Sequence, residues 1–271
     1  MDIYTYKDLH KYLNVLPQRS IKLTIVRSSG GLGKTYQVEQ ILKQHKSNYI
    51  VVAGKCTPLE LYTIMFDNPS SIIVLDDVDT MLRNKDIVAI LKVACNLKEN
   101  INVQYNTSRT IKSNNKTYEK SFISNNTFIF LLNDVNMLIN SDLHALYTRS
   151  LYINFNPSYT EVFNTMKSYA TNKDILKYLY THIESIEDFN LRLYEKCLML
   201  HNAGLCYKDY IQREYIKDYT LLLMHKILST CKSKKEFTHA YHNEIGKSTK
   251  SMYNDLKKYS LTSKYNKLKN S

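Results

Sequence analysis

Eight residues, Ser28-Ser29-Gly30-Gly31-Leu32-Gly33-Lys34-Thr35, bring three of the chain's six glycines together with a lysine and a hydroxyl side chain. Phosphate oxygens need close backbone approach, which glycine permits because it has no Cβ, and N–H donors at a helix N-terminus. In that chemistry Gly30, Gly31 and Gly33 wrap the anion, and Ser28, Ser29, Leu32 and Tyr36 complete the loop and the first helical turn. Lys34 would reach the terminal phosphates, and the Thr35 hydroxyl would hold a hard divalent cation. The run opens with Ser28 where the usual phosphate-loop pattern has Gly, so the turn into the loop is altered while the later GxGK-T core is intact. The alternative is a tight turn capping a helix.

Forty-two residues beyond Lys34, an apolar run ends in Asp76-Asp77. A carboxylate at the C-terminal end of a strand beside a phosphate loop is placed to hold the water shell of Mg²⁺, and Asp76 is that candidate. Asp77 would orient or deprotonate an attacking water. Alone, two acids after apolar residues mark only a strand running into a loop.

These residues need a scaffold of strands and helices. Ile21–Val26 is apolar and β-branched and precedes the Gly-rich turn; Val38, Ile41 and Leu42 follow it at helical spacing. Tyr49–Ala53 reads as a second strand, and Thr57-Pro58-Leu59-Glu60 as a capped helix start. Ser71–Leu75, Thr127–Leu132 and Leu151–Phe155 are three more strands, with a helix over Asp86–Asn96. Five continuous apolar strands alternating with helices predict an α/β fold: a parallel sheet with helices on both faces. The polar, basic interval 100–126 breaks the rhythm as a strand plus exposed loop. After Pro157 only helices are expected, over about 159–170, 172–183, 188–203 and 207–232.

The formal charge is +12, and residues 205–271 hold thirteen Lys and one Arg against six acids, or +8 of that total. A field of this sign favours phosphate-rich partners or anionic surfaces. Five cysteines without CxxC spacing argue against a disulfide framework or zinc site and for a reducing compartment. The apolar runs are too short to span a bilayer, so no membrane partner and a cytoplasmic location are expected, the host cytoplasm if the chain is viral.

The motifs SSGGLGKT, IIVLDD, FIFLLND and LYTRS, in this order and followed by helices, resemble the AAA+ P-loop ATPases, in particular ATP-binding proteins encoded in phage genomes. The resemblance covers about residues 20–203. It implies ATP and Mg²⁺ as cofactors and homo-oligomeric assembly. The change of pattern after Pro157 ends an α/β core (1–156); the helices beyond it are then a lid (157–205) and a basic helical C-terminal region (206–271). By the same resemblance Asn133 looks like the sensor-one residue, Arg149 like an arginine finger serving a neighbouring subunit, and Arg192 like a sensor-two arginine. The plain alternatives are a turn cap for Asn133, a surface salt bridge for Arg149 and a solvated helix face for Arg192. Many relatives have Glu where this chain has Asp77, which bears on turnover.

In the C-terminal region, Asn243–Lys257 is similar to a helix-turn-helix, with Gly246 ending one helix and Met252 and Leu256 facing inward on the next. Two ordinary helices are the alternative, since Lys247 sits where an apolar turn residue is normal. Lys257, Lys258, Lys264, Lys267 and Lys269 interleave with Tyr259 and Tyr265, which could stack on bases, and Arg109, Lys112, Lys116 and Lys120 form a second basic segment. The expectation is therefore an ATPase acting in DNA replication, recombination or packaging, with DNA and replication proteins as partners. Its rivals are an ATP-switched DNA-binding initiator or helicase loader, and a protein-assembly ATPase. A nucleoside kinase ranks last, because phosphoryl transfer to a small acceptor requires neither the later motifs nor a helical region.

Overall fold

The structure is a computed structural model and describes residues 1–113, 115–133, 141–216 and 219–269. Asp134, which ends the FIFLLND motif, lies outside the described residues. The chain forms two compact units: residues 1–171 with 190–193, and residues 172–189 with 194–271.

In the first unit the order is β1 (Asp2–Ile3), α1 (Tyr6–Leu13), β2 (Leu23–Arg27), α2 (Lys34–Gln44), β3 (Tyr49–Ala53), α3 (Pro58–Asp67), β4 (Ile72–Asp76) and α4 (Lys85–Ala94). It continues through β5 (Ile101–Gln104), β6 (Ile111–Ser113), β7 (Lys116–Tyr118), β8 (Ser121–Ser124), β9 (Thr127–Leu132), α5 (Ser141–Tyr147), β10 (Leu151–Phe155) and α6 (Tyr159–Lys167). Six parallel strands form one sheet in the order β1-β10-β2-β9-β4-β3, with helices on both sides. Covered on both faces, β2, β9 and β4 at its centre are largely apolar, with Thr24 and Thr127 buried among them; all six residues of β9 are buried.

The expected count of five strands is corrected to six. Two-residue β1 pairs with the edge of β10, Asp2 opposite Asn154 and Ile3 opposite Phe155. So short a strand has no periodicity to detect. At α3, by contrast, local chemistry suffices: Thr57 and Glu60 form a reciprocal capping box, with Pro58 opening the helix.

The interval 100–126 is more ordered than a strand plus exposed loop. β5 and β8 pair antiparallel, and β6 and β7 pair between them. Val103, Ile111 and Tyr118 join the core, and Phe122 packs edge-on to Tyr62 of α3 at 5.3 Å between ring centroids. Lys116 forms an ion pair with Asp67 and lies over the Tyr118 ring at 4.9 Å, so one of the four basic residues there serves packing.

The second unit contains α7 (Lys173–Thr181), most of α8 (Leu191–Asn202), α9 (Tyr207–Glu214), α10 (Tyr219–Thr230), α11 (Lys234–Ile245), α12 (Thr249–Lys258) and α13 (Thr262–Asn266). The expected single helix over 207–232 is two helices, because Ile216 leaves the helix to bridge Ile186. Met224, Ile227, Phe237, Tyr241, Met252, Leu256, Leu261 and Tyr265 form this unit's own apolar cluster. Tyr265 is 5% exposed, which corrects its reading as a base-stacking residue. No helix among the described residues is long and apolar enough to cross a membrane.

Candidate functional site

The sheet brings the ends of β2, β9 and β4 to one edge, with Arg27 opposite Leu132 and Asp76 opposite Leu131. The Ser28 N–H then donates to the Leu132 carbonyl at 3.1 Å, so the glycine-rich loop departs from a fixed point. Gly31 and Gly33 adopt left-handed φ of 77° and 78°, and Gly33 caps α2.

Lys34, the first residue of α2, is 8% exposed. Its Nζ lies within hydrogen-bond distance of four acceptors, the Ser28 carbonyl at 2.8 Å, the Ser28 hydroxyl at 3.0 Å, the Ser29 carbonyl at 3.1 Å and Asn133 Oδ1 at 2.9 Å, which its three N–H groups share. Burial pushes its pKa down to about 8, although the carboxylates of Asp76, Asp77 and Asp79 favour the charged form; Arg192 adds to the lowering. The Thr35 hydroxyl donates to Asp76 Oδ2 at 2.9 Å, and Asp76 Oδ1 accepts the Asp77 N–H at 3.0 Å.

Asn133 directly follows β9, the strand between β2 and β4. Its Oδ1 accepts from Lys34 while its Nδ2 donates to Asp77 Oδ1 at 2.9 Å. Only one orientation of the carboxamide satisfies an ammonium on one side and a carboxylate on the other. Its backbone N–H donates to the Asp79 carboxylate at 3.2 Å. Asp77 is exposed and has a left-handed φ of 51°, which Asp tolerates better than most residues.

The segment Asn190–Leu193 belongs to this unit and lies on the loop. The Leu191 N–H donates to the Gly31 carbonyl at 3.0 Å. A Cβ on Gly31 would meet Asn190 Oδ1 at 2.8 Å, one on Gly33 would meet Leu191 at 3.1 Å, and one on Gly30 would lie 3.8 Å from Arg192 Nη1. Arg192 is thus at the loop, on the first turn of α8. That helix starts at Leu191, not near 188 as its apolar spacing predicts, because the preceding residues dock on the glycines.

Arg149 is elsewhere. It stands two residues before Leu151, which pairs with Thr24 at the start of β2, so it lies at the opposite edge of the sheet. Its Nη1 donates to the Lys92 carbonyl in the last turn of α4 at 2.8 Å. Tyr36 is 64% exposed, whereas the Leu32 side chain is buried.

Three contributors escaped the sequence reading. Tyr6 on α1 donates its hydroxyl to the Leu32 carbonyl at 3.0 Å, and its own N–H donates to Glu161 on α6 at 3.0 Å. Asp79 holds the Asn133 backbone, and Asn190 packs on Gly31. The run Asp76-Asp77-Val78-Asp79 carried a signal for Asp79 alone. A separate cavity of about 360 Å³, lined by Gln18, Arg19, His45 and Asn48 among others, lies at the edge of the sheet away from Lys34.

The donors fit hard-cation chemistry. Among the described residues no three or more His, Cys, Asp or Glu converge as a metal cage. Mg²⁺ takes few protein ligands, usually one or two oxygens, and completes its octahedron with water and phosphate; Thr35 and Asp76, already in contact, are such a pair. The loop's chemistry suits an anion: glycine backbone and the N-terminus of α2 stand with the buried Lys34 ammonium and the Arg192 guanidinium, which lies beside Gly30. No protein-family model matches the chain, and no curated protein matches it either.

Proposed function

We propose that this protein is a P-loop ATPase of the AAA+ kind that binds ATP with Mg²⁺ at Ser28–Thr35 and works on DNA as a homo-oligomer. The observation that carries this reading is the convergence of Lys34, Thr35, Asp76, Asp77 and Asn133 from three adjacent strand ends, joined by hydrogen bonds of 2.9 Å. Bound Mg²⁺ would neutralise phosphate charge. The loop N–H groups, Lys34 and Arg192 would orient the triphosphate; Thr35 and Asp76 would hold the cation. Asp77, steered by Asn133, would align the attacking water and accept its proton.

Arg149, at the far edge of the sheet, has a role in hydrolysis only if it serves a neighbouring subunit's nucleotide. Free cysteines, with Cys56, Cys95 and Cys197 buried, suit a reducing, cytoplasmic setting. DNA as partner is supported by the concentration of lysine in the last quarter of the chain.

A second reading, an initiator or loader in which ATP is a conformational ligand with little turnover, is favoured by Asp77: it is a short acid whose carboxylate is already engaged by Asn133. The test of the main reading is Mg²⁺-ATP binding by wild type and Lys34→Ala. A drop of about 100-fold or more is expected from removing the buried ammonium; equal affinity would overturn it. Steady-state turnover then separates the two readings.

A further inference from the structure

We infer that α12 is a recognition helix that enters the major groove of duplex DNA. The inference deepens the DNA part of the function proposed above and is independent of the nucleotide site. Helix α11 ends at Gly246, whose φ of 74° suits a left-handed cap, and α12 begins after the turn Gly246-Lys247-Ser248. α10, α11 and α12 share the cluster built on Met224, Ile227, Phe237, Tyr241, Met252 and Leu256. A helix, a short Gly-containing turn and a second helix over a shared core is the arrangement that presents the second helix to a groove.

The turn is fastened from inside. Tyr241 donates to Asp255 Oδ2 at 2.7 Å, and Lys247 donates to the same oxygen at 3.0 Å. Lys247, the residue that fits a standard turn badly, is thus the partner of the helix's own acid. Burial would raise the Asp255 carboxyl, but these hydrogen bonds and the Lys247 charge hold it below the ordinary range. His242 bonds the Lys247 carbonyl and, at 3.1 Å, the Thr249 hydroxyl.

That internal pairing consumes the only acid of α12. Lys250, Tyr253, Asn254 and Lys257 are exposed at helical spacing, and among the described residues the side chains of Lys250, Asn254 and Lys257 make no hydrogen bond or ion pair. Residues 232–271 carry ten lysines against three acids, so the charge complements a polyanion. Seven residues of helix separate Lys250 from Lys257 by about 10 Å, comparable with a major groove about 12 Å wide. The two lysines fit phosphates on either side, and Asn254 between them fits a base edge, adenine being the base that pairs bidentately with Asn.

The test uses the full chain and fluorescence anisotropy with a randomised 30-bp duplex pool, single strands of the same length and phosphatidylserine vesicles. Wild type should prefer duplex. K250A/K257A should lower duplex affinity roughly ten-fold and reduce the salt slope by about 2, while K98A, a charge lost from the first unit between α4 and β5, should leave both nearly unchanged. N254A should keep the affinity for the pool within about two-fold but flatten the sequence enriched from it. All substituted positions are exposed, and unchanged thermal unfolding checks each fold. Wild-type binding by K250A/K257A, equal binding of single strands, or vesicle binding as tight as duplex binding would overturn the inference. Retained salt-dependent DNA binding under those outcomes would leave DNA as partner, whereas loss of all DNA binding would remove both.

Discussion

The Lys34 ammonium donates to the Asn133 carboxamide oxygen at 2.9 Å across 99 positions of sequence, and the same carboxamide donates to Asp77. The candidate phosphate-binding lysine and the candidate water-orienting acid are therefore read by one side chain. Such a bridge can report phosphate to the acid, because moving either partner changes what the other must bond.

Asn133→Ala removes that bridge without touching the loop glycines. Turnover should fall on the order of 10²-fold, as for loss of one positioned donor, while the dissociation constant for Mg²⁺-ATP changes by only a few-fold. Single-turnover kinetics with a binding titration check this; a loss confined to affinity would contradict the assignment.

Burial places Lys34 at about 8, below the ordinary lysine value of 10.5. Between those two values the unfolded chain holds a proton at Lys34 that the folded chain lacks, so this residue's contribution to stability rises with pH across that window. Phosphate favours the ammonium, so ATP binding at pH about 8.5 should take up protons, with little uptake near pH 7. Calorimetry in two buffers of different ionisation enthalpy measures the uptake. Lys34→Arg, always charged, should show none of the Lys34 component.

Gly31→Ala puts a Cβ at a φ of +77° and 2.8 Å from Asn190 Oδ1. The left-handed backbone alone costs about 1–2 kcal/mol, and the clash adds to it. Pairing it with Asn190→Gly should recover the clash but not the backbone strain, a coupling on the order of 1 kcal/mol in a double-mutant cycle. Urea denaturation measures it, and strict additivity would show that Asn190 does not press on the loop.

Tyr6→Phe leaves the Leu32 carbonyl without its 3.0 Å donor. Because Tyr6 is buried, the loss should be about 1–3 kcal/mol of stability, with weaker nucleotide binding as the loop loosens. Burial pushes the Tyr6 phenol upward, so it stays a donor through the alkaline range used for Lys34. An unchanged unfolding midpoint would mean that the loop is held without it.

Much of the first unit could be read along the chain. Gly30, Gly31, Gly33, Lys34 and Thr35 are adjacent, and the acids of β4 directly follow their strand, so local spacing carries them. The strands β2, β9 and β4 at the sheet's centre are covered on both faces and largely apolar, which is why their runs were legible. The capping box of α3 is likewise a four-residue matter.

Other features depend on residues distant in sequence meeting through packing. Nothing near Tyr6 announces that its hydroxyl closes on Leu32, and nothing near Asn190 announces that it covers Gly31. β1 exists only because β10 offers an edge, and Tyr265 is an apolar core residue only because α11 and α12 fold over it. Short-range spacing encodes groups that must be neighbours in the backbone. Hydrogen-bond partners and burial are set by the three-dimensional close packing of elements, which no local pattern contains.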